Sequence, residues 1–404
     1  MIIGIICEYN PFHNGHLYQI ERIREEFGED TGIIAVMSGN FVQRGGVAIA
    51  DKGVRAICAE LSGVNLVLEL PFPFSMSSAE FFARSAVHIL DSLGCVDYIS
   101  FGSESGSIEA LEDIANAMLS NSFIEEMNLL SRDENEKKRG YAALCESALR
   151  KVLNADVLDV TLTPNNILAI EYIKALKELK SNIKPHTIKR VGNAFSDETF
   201  STGDIQSATS IRHSIESKDI SALEYTPNIT KEILLKEVKN GDFPCDSEKL
   251  STAIITSLRL NSSAFSNDIH DTAGGLYNRL RELSFEANTL DGLIRSAETK
   301  KFTRARIRRA LFYTLLGVTS SHVKVLPAYT QLLATDLQGR AMLKTIRKRS
   351  SFPILTKPSD TKKLSEEALM QKKMADSADS VFQLTKPIPK DGNLALRFTP
   401  FVRK

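Results

Sequence analysis

The sequence predicts an α/β fold in which a parallel-sheet domain is followed by a mainly α-helical domain. In the first half, short continuous apolar runs alternate with amphipathic helical segments, whereas beyond about Pro227 helical patterns follow one another. Strands separated by single helices favour βαβ units, which form a parallel sheet covered by helices on both faces. We therefore expect two domains, residues 1–225 and residues 226–404.

Five strands are predicted, of which the first four are continuous rather than alternating apolar runs, as is typical of strands buried on both faces. They cover residues 2–7, 32–38, 65–71, 96–102 and 186–191. Amphipathic periodicity predicts the intervening helices, which cover residues 15–27, 54–62, 77–93, parts of 107–151, 165–180 and 202–217. Thr202 and Asp204 are candidate caps of the last of these helices. Later helices are predicted over residues 229–238, 249–260, 274–287, 290–297, 304–318 and 332–348, before a small strand-and-helix extension that starts at Pro353.

The composition is that of an ordinary globular protein, with 43% hydrophobic and 25% charged residues, which excludes a disordered chain. No apolar stretch of about 20 residues occurs, so we expect no membrane span. The N-terminus lacks a basic segment and carries Glu8, which argues against a secretory signal. The five cysteines lie far apart without a CxxC pair, which argues against a disulfide framework and a cysteine-rich zinc site. We expect the cytoplasm.

The net charge of zero conceals an asymmetry between the two parts of the chain. Residues 291–404 carry 23 Lys and Arg against 9 Asp and Glu, whereas residues 1–290 carry 27 against 41. Such a division is typical of a protein whose basic part faces a polyanion. The alternative is that the opposite charges help the two parts to dock.

The motif His13-x-Gly15-His16 directly follows the first predicted strand and opens the first predicted helix. Ligands bind at the carboxyl edge of a parallel sheet, and a helix N-terminus there favours anions. Imidazoles can donate hydrogen bonds to phosphate oxygens, and Gly15 lets a ligand approach the backbone. The alternatives are a metal pair and two surface histidines. Zinc would need a third ligand such as His88 or His186, neither of which lies at a recognisable ligand spacing.

The motif and its position resemble the HIGH-motif nucleotidyltransferases, which include aminoacyl-tRNA synthetase cores and pantetheine-phosphate and nicotinamide-mononucleotide adenylyltransferases. This family carries a second motif, approximately ISSTxIR, at a later helix N-terminus. Residues 206–212 match it at Ser207, Thr209, Ile211 and Arg212 and depart from it at Gln206 and Ala208. The resemblance implies a Rossmann-like fold in which Arg212 and the hydroxyls hold the phosphates that leave as pyrophosphate.

A closer resemblance covers most of residues 1–220 and continues more sparsely into the helical part. The segments GIICEYNPFHNGHLYQI, MSGNFVQRGGVAIADKGVRA, ELPFPFSMSSAEFFARSAV, FGSES and TPNNILAIEYIKAL are similar to bacterial tRNA(Met) cytidine acetate ligases. The family's activity implies acetyl-adenylate formation from ATP and acetate, with His13, His16 and Arg212 catalytic. It also implies acetyl transfer to N4 of the wobble cytidine of elongator tRNA(Met), which gives N4-acetylcytidine.

The same resemblance implies which residues form the ATP pocket. They are Cys7, Glu8, Tyr9, Asn10, Pro11, Phe12, His13, Asn14, Gly15, His16, Leu17, Tyr18, Gln19, Ile20, Gly102, Asn166, Arg190, Ser207 and Thr209. ATP is the expected co-substrate. Mg²⁺ on its phosphates suits the chemistry, although no motif indicates it and no metal-binding residues are predicted.

Three of these residues also have a physical rationale of their own. Gly102 ends the fourth predicted strand, where a missing side chain permits close contact with adenosine; the alternative is a plain strand-ending turn. Asn166 lies in the first turn of its helix, where a polar residue is also an ordinary helix start. Arg190 lies near the end of the fifth strand, from which it could reach a phosphate or simply point into solvent.

A glycine-containing loop, residues 38–46, follows the second strand at the same edge of the sheet. We expect Gln43 or Arg44 to meet acetate or the RNA, and its positive charge favours Arg44 for an anion. The alternative is a mobile connection. Asp51, Lys52 and Arg55 come next, and their pattern is compatible with ion pairing at a helix start as well as with catalysis.

Two basic clusters in the helical part are candidates for RNA binding, since clustered guanidinium and ammonium groups suit a phosphate backbone. The first comprises Lys300, Lys301, Arg304, Arg306, Arg308 and Arg309, and the second comprises Lys344, Arg347, Lys348 and Arg349. A solvated helix face is the alternative for both. The charge pattern alone does not distinguish RNA from DNA or acidic protein, and the expectation of tRNA rather than DNA comes from the resemblance.

Two other functions fit part of the pattern. A small-molecule adenylyltransferase of the pantetheine-phosphate or nicotinamide-mononucleotide type would explain both phosphate motifs but not the basic helical part. A non-catalytic RNA-binding protein that holds ATP structurally would explain the charge. Acetate-dependent exchange of pyrophosphate with ATP separates the ligase from both.

Overall fold

The structure is a computed structural model that describes residues 1–133, 140–153, 163–190, 205–261 and 268–403. Its strands are β1 (Ile2–Cys7), β2 (Gly32–Ser38), β3 (Leu66–Leu70), β4 (Tyr98–Ser103), β5 (Lys184–Lys189), β6 (Thr330–Thr335), β7 (Ile354–Leu355) and β8 (Phe401–Val402). Its helices in the first half are α1 (Asn14–Phe27), α2 (Lys52–Leu61), α3 (Ala79–Ser92), α4 (Ile108–Leu119), α5 (Asn121–Leu130), α6 (Tyr141–Val152), α7 (Pro164–Glu178) and α8 (Ala208–Glu216). The later helices are α9 (Asn228–Asn240), α10 (Ser251–Leu260), α11 (Leu276–Ser284), α12 (Leu290–Ala297), α13 (Arg304–Leu316), α14 (Ser320–Lys324), α15 (Leu337–Arg349) and α16 (Glu366–Phe382).

The strands form one mostly parallel sheet in the order β5–β4–β1–β2–β3–β6–β7, with β8 paired to β6. The five strands predicted from the first half are parallel to one another, and Ile3 lies opposite both Ile33 and Tyr98 in register. The predicted α/β fold with a Rossmann-like sheet and a mainly helical second part is confirmed. Because these strands share one direction, β1, β2 and β4 end at the same edge of the sheet.

Apolar clusters cover both faces of the sheet, as continuous apolar strands require. On one face α3, α4, α7 and α15 pack on the even-numbered side chains of β2 and β3, such as Ile34 and Leu68. On the other face α1 and α2 pack on Ile3, Ile5 and Ile33. The burial of alternate side chains on opposite faces is what fixes the register of each strand.

The predicted helix over residues 332–348 is wrong in its first part, because residues 332–335 belong to β6. This strand pairs antiparallel with β3, and Thr335 lies opposite Leu66. The helix starts only after Asp336, whose Oδ1 accepts a hydrogen bond from the Gly339 N–H at 2.7 Å. The run Leu332–Leu333–Ala334 satisfies a helical and a strand pattern equally, so its pairing with a distant strand decided the outcome.

The helical part contacts the sheet through the loops that follow β2 and β3. Phe41, Phe72 and Met76 from these loops belong to the same buried cluster as α10–α13 and α16. The small strand-and-helix extension predicted from Pro353 is confirmed by β7, α16 and β8. The division into domains at residue 225 stays a prediction. Strands β6, β7 and β8, which come from the second part of the chain, pair within the same sheet as β1–β5.

The segment predicted as a helix over residues 202–217 is described only from residue 205. Its helix is α8, and Thr202 and Asp204 lie outside the described residues. Among the described residues, none of the helices combines the length and the apolarity that a membrane crossing requires.

Candidate nucleotide site

The site is built on the turn between β1 and α1 at the carboxyl edge of the sheet. Tyr9 has a φ of 47° there, which reverses the chain after the strand. The rings of Tyr9 and Phe12 are buried and meet edge to face with centroids 4.8 Å apart. These aromatic side chains fix the turn against the core, so the N-terminus of α1 is held in one orientation.

His13 and His16 cap α1 reciprocally. Nδ1 of His13 accepts a hydrogen bond from the Gly15 N–H at 3.0 Å, and Nδ1 of His16 accepts one from the His13 N–H at 3.2 Å. The two rings stack with their centroids 3.7 Å apart. An imidazole nitrogen that accepts a hydrogen bond carries no proton, so in each ring the proton lies on Nε2. Within the described residues, neither Nε2–H has a protein acceptor.

Both imidazoles are neutral in this environment. Burial lowers the pKa of His13 to about 3, and the positive charges of Arg190 and Arg212 add to this shift. Burial also lowers the pKa of His16 well below its ordinary value, with His13 and Arg190 contributing. His13 and His16 therefore form a pair of neutral N–H donors over the start of a helix, an arrangement that suits phosphate oxygens.

The second motif lies directly against the first. Ser207 caps α8 by accepting a hydrogen bond from the Ser210 N–H at 3.0 Å. Arg212 donates from Nη1 to the Asn10 carbonyl at 2.7 Å and from Nη2 to Thr209 Oγ1 at 3.2 Å. These bonds tie the N-terminal end of α8 to the turn before α1, so the two motifs predicted from sequence form one site.

Gly15 has a packing role that the sequence did not indicate. A Cβ atom at Gly15 would lie 2.9 Å from Cε1 of His13 and 3.3 Å from Cγ2 of Ile205. Both distances are shorter than ordinary contacts. The glycine thus permits the His13 ring and the segment before α8 to pack closely, and the expected approach of a ligand to this residue stays a prediction.

Gly102 and Arg190 lie together at the ends of β4 and β5. The Arg190 N–H donates to the Ser103 carbonyl at 3.0 Å, and a Cβ at Gly102 would lie 3.1 Å from Cγ of Arg190. The missing side chain therefore lets the Arg190 stem cross the strand end. Its guanidinium reaches the vicinity of His13 and His16, as the pKa shifts of both histidines indicate.

Asn166 is buried and organises the loop after β4. Its Oδ1 accepts from the N–H groups of Glu104 at 2.9 Å and Ser105 at 3.3 Å, and its own N–H donates to Glu104 Oε2 at 3.0 Å. Asn165 and Thr163 donate further hydrogen bonds to the Glu104 carboxylate at 2.5 and 2.6 Å. Burial opposes ionisation of Glu104, but these donors outweigh it and lower its pKa.

Sequence reasoning missed Glu104, although the residue directly follows β4. An acidic side chain just after a strand at the carboxyl edge was the available signal. Glu104 joins the start of α7 to the edge of the predicted site, and Asn166 shapes that edge from within the protein.

The other residues of the predicted ATP segment divide into two groups. Several support the turn: Asn10 Oδ1 accepts from the Ile49 N–H at 2.8 Å, Gln19 donates to the Ser100 carbonyl at 3.2 Å, and Glu8 Oε1 accepts from the Gln43 N–H at 2.8 Å. Burial raises the pKa of the Cys7 thiol. Pro11 and Ile20 are buried, whereas Asn14, Leu17 and Tyr18 are half-buried.

The loop after β2 contacts this turn, because the Gln43 N–H donates to Glu8 Oε1. Glu8, which contacts Gln43 of this loop, also interacts electrostatically with Arg44. Partial burial lowers the pKa of Arg44, while Glu8 opposes that shift and Arg212 adds to it. Arg44 is therefore placed close to the two motifs.

Lys52 and Arg55 have structural partners. Lys52 Nζ lies 2.7 Å from Glu69 and 2.5 Å from Asp379 of α16, and all three side chains are buried. Arg55 donates to the carbonyls of Ala50 and Ser38 at 2.9 and 3.1 Å. Asp51 caps α2 through the Gly53 N–H at 2.9 Å. Of the two alternatives for these residues, the structure favours the ion-pairing and capping roles.

The first basic cluster is engaged largely within the protein. Arg309 forms a buried ion pair with Asp271 at 2.6 Å, and Arg306 donates to the carbonyls of Asp271 and Ala273 at 3.0 and 2.6 Å. Arg308 donates to the Gly45 carbonyl at 2.7 Å. These arginines hold α13 against neighbouring segments, so their spacing alone does not identify an RNA surface.

No group of three or more His, Cys, Asp or Glu side chains placed to hold a metal ion occurs among the residues that the structure describes. Those residues also keep all five cysteines as free thiols, four of them buried. The predicted site is thus defined by imidazole, guanidinium and backbone donors, all of which suit an anion.

Comparison with known proteins places this site in a family. The model of the HIGH Nucleotidyl Transferase family matches residues 1–393. The tRNA(Met) cytidine acetate ligase of Thermoanaerobacter sp. (strain X514) is 41% identical over 376 residues, which are 92% of this chain and 92% of that protein.

Solved structures agree over the full length. The apo structure of Thermotoga maritima TmcAL has a TM-score of 0.92 and 31% identity, and covers 99% of both chains. The same protein bound with alpha-thio ATP has a TM-score of 0.90 and 30% identity, and covers 100% of both chains. This chain therefore belongs to the HIGH nucleotidyl transferase family and, within it, to the tRNA(Met) cytidine acetate ligases.

Proposed function

We propose that this protein is an ATP-dependent ligase that activates acetate as acetyl-adenylate and transfers the acetyl group to elongator tRNA(Met). The product would be N4-acetylcytidine at the wobble position. The observation that carries the proposal is the stacked pair of neutral imidazoles at the start of α1, with Arg190 and Arg212 close enough to His13 to lower its pKa. The names of its relatives and the ATP analogue bound to a structural neighbour support the same reaction.

In this proposal the triphosphate of ATP lies across the N-terminal ends of α1 and α8. The Nε2–H groups of His13 and His16 donate to the α-phosphate oxygens, because neither is engaged by the described protein groups. Arg212, already oriented by Asn10 and Thr209, uses its remaining N–H groups for the β- and γ-phosphates. Adenosine lies toward Gly102 and the loop that Asn166 holds.

The first step joins acetate to the α-phosphorus. A carboxylate oxygen of acetate attacks, the bond between the α-phosphorus and its bridging oxygen breaks, and pyrophosphate leaves. Charge builds up on the α-phosphate oxygens and on the leaving group, which is where His13, His16 and Arg212 are placed to stabilise it. Neutral imidazoles suit this role, since they donate without first having to take up a proton.

In the second step N4 of the cytidine attacks the acyl carbon of acetyl-adenylate. The C–N bond forms, the bond from the acyl carbon to the phosphate oxygen breaks, AMP leaves, and the amine loses a proton. The mixed anhydride is already activated, so the step requires no protein nucleophile. Arg44 is the candidate for contact with acetate or the RNA, since its guanidinium lies near Glu8 and Arg212.

Mg²⁺ enters the proposal only as a counter-ion that would reach the site on the ATP phosphates, and no step above depends on it. Because the proposed substrate is a tRNA, we expect the enzyme to work in the cytoplasm.

The test is incubation of bulk tRNA with the protein, ATP and isotopically labelled acetate, followed by mass analysis of the nucleosides. We expect labelled N4-acetylcytidine and, without tRNA, acetate-dependent exchange of labelled pyrophosphate into ATP. Exchange that requires a phosphorylated cofactor precursor instead of acetate would assign the small-molecule adenylyltransferase activity. RNA binding without any exchange would contradict both enzymatic functions.

A further inference from the structure

The second basic cluster, on α15, differs from the first in how its side chains are used. The buried face of α15 consists of Gly339, Met342, Leu343 and Ile346. The opposite side carries three cations of this cluster together with Arg340, all exposed, which we call the α15 stripe: Arg340, Lys344, Arg347 and Lys348. Arg349, the fourth member of the cluster, donates to the Gly94 carbonyl at 3.5 Å and is not part of the stripe. In the described part of the chain, none of the four stripe residues forms an ion pair or a side-chain hydrogen bond.

The spacing of the stripe places its charges on one side of the helix. Residues 340, 344 and 348 are separated by four positions each, so they follow one another along about 12 Å of the helix axis. No acidic residue occurs between Leu337 and Arg349. On α13, by contrast, each of Arg304, Arg306 and Arg309 contacts Asp291 or the segment around Asp271.

Helix stability does not account for this arrangement. Like charges four positions apart repel each other by a few tenths of a kcal/mol. The cations of the last turn benefit from the helix dipole, but Arg340 lies in the first turn, where the dipole disfavours a positive charge. A stripe without counter-charges along its length is therefore better explained by an external polyanion.

The stripe lies at the opposite edge of the sheet from the candidate nucleotide site. Gly339 packs on the Asn65 carbonyl before β3, Met342 packs on Gly32 at the start of β2, and Ser350 follows beside Ser92 at the end of α3. The six residues of β1 span about 20 Å at 3.3 Å per residue, and they separate this edge from the His13 turn. A contact made here is too distant to involve the nucleotide that reacts.

We propose that the α15 stripe binds the phosphate backbone of the RNA substrate at a point remote from the modified cytidine. The inference rests on the proposed function, because an RNA must extend from the carboxyl edge of the sheet to its amino edge. A tRNA has the necessary extent, and its body continues well beyond the anticodon stem-loop. The stripe thus recognises the body of the substrate through its charge and does not read its sequence.

The decisive variant replaces all four cations by glutamine, as Arg340→Gln, Lys344→Gln, Arg347→Gln and Lys348→Gln. Binding of a full-length tRNA(Met) transcript and of its isolated anticodon stem-loop is measured over a salt series. For the full-length RNA we expect the slope of log affinity against log salt to fall by about 0.7–0.9 for each lost phosphate contact. We expect affinity to fall by about 10- to 100-fold at low salt, with KM for tRNA rising in parallel.

Two readouts should remain at the wild-type level in the same variant, namely stem-loop affinity and acetate-dependent pyrophosphate exchange. Unchanged affinity and salt slope for full-length tRNA would overturn the proposal, as would an equal loss for the stem-loop. A wild-type protein that neither exchanges pyrophosphate with acetate nor acetylates tRNA would instead refute the proposed function, so the two failures are distinguishable.

The chain offers a matched control for a smaller variant. Lys236 and Lys239 on α9 are exposed lysines on one side of a helix, but Glu232 and Glu237 lie among them. The pair Lys344→Gln with Lys348→Gln should weaken full-length tRNA binding, whereas the pair Lys236→Gln with Lys239→Gln should not. Equal losses for both pairs would show that any removal of two surface charges has this effect, and would overturn the assignment to the stripe.

Discussion

The turn that opens α1 and the helix α13 both carry cationic or imidazole side chains at helical spacing, yet they use them in opposite ways. In the α1 turn each histidine accepts a hydrogen bond from a backbone N–H within three residues, and its other ring nitrogen has no acceptor among the described residues. In α13, Arg306 and Arg309 direct their donors to Asp271, more than 30 residues away in sequence. A motif with local partners can be interpreted from the sequence, whereas one with distant partners cannot.

The largest loss of activity is expected from substitutions in the α1 turn. In His16→Asn the side-chain oxygen replaces Nδ1 as acceptor for the His13 N–H, but the donor at Nε2 is lost. Removing one donor to transition-state charge lowers rates by about 10²–10³. We therefore expect acetate-dependent pyrophosphate exchange to fall by that factor while the unfolding midpoint stays close to wild type.

His16→Gln is the matched control, since its amide nitrogen approximates the position of Nε2. We expect this variant to retain more exchange activity than His16→Asn. Near-normal exchange in His16→Asn would remove His16 from the proposed phosphate site.

At α13 the comparison predicts a loss of stability instead of activity. Arg309→Met keeps much of the buried side-chain volume but leaves the Asp271 carboxylate without its partner at 2.6 Å. Removing one member of a largely buried ion pair costs about 3 kcal/mol. We expect urea unfolding to shift by that amount, with exchange per folded molecule unchanged.

The double variant Arg309→Met with Asp271→Asn should recover part of that loss, because no unpaired charge remains. A stable Arg309→Met protein with weakened tRNA binding would mean that this arginine faces the RNA, and it would contradict the structural role.

The pH dependence of stability offers a finer test of the α1 turn. His13 has a pKa of about 3 in the folded protein, against about 6.5 as its ordinary value. Between these values the unfolded chain binds a proton that the folded protein does not, so stability falls as pH decreases below 6.5. His13→Asn keeps the cap on the Gly15 N–H and removes this titration. Between pH 7.5 and pH 5 we expect wild type to lose about 2 kcal/mol more unfolding free energy than the variant.

Urea titrations of both proteins at several pH values measure this difference. Identical pH profiles would mean that His13 takes up protons as readily in the folded protein as in the unfolded chain. The lowering of the His13 pKa by burial would then be refuted.

The first half of the fold was predictable because its signals are local. Strands β1–β5 lie within two residues of their predicted bounds. Strands β1–β4 are marked by apolar runs, each of which is followed by turn residues. The strand β6 was not predictable, because the run Leu332–Ala334 fits a helix equally well and only its pairing with β3 decides. Side-chain partners that are distant in sequence were not predictable either. Lys52, for example, forms an ion pair with Asp379, which is 327 positions away.

For the site, the order of the two motifs in the sequence predicted that they meet at one edge of the sheet, but it did not predict the contacts that their residues make within the protein. Gly15 serves the packing of His13, and Asn166 serves the loop around Glu104. These roles depend on which groups the fold brings within 3 Å, and spacing in sequence does not contain that information. The neutral state of the histidines likewise follows from burial near two arginines, one of which is 177 positions beyond His13.

The smallest change in stability is expected from substitution of Arg304, the most solvent-exposed arginine of α13. Its Nη2 lies 2.7 Å from Asp291 Oδ1, but Arg304 is 46% exposed and Asp291 also pairs with Arg295. Exposed pairs contribute little, because solvent screens them and side-chain entropy opposes them. Arg304→Ala should therefore change the unfolding free energy by less than about 0.5 kcal/mol. If α13 is a scaffold, tRNA binding should also stay near wild type across a salt series, and Arg304→Ala should differ from Arg309→Met only in stability. A clear loss of tRNA affinity in Arg304→Ala would instead assign the exposed side of α13 to RNA binding, because this substitution leaves the contacts of Arg306 and Arg309 in place.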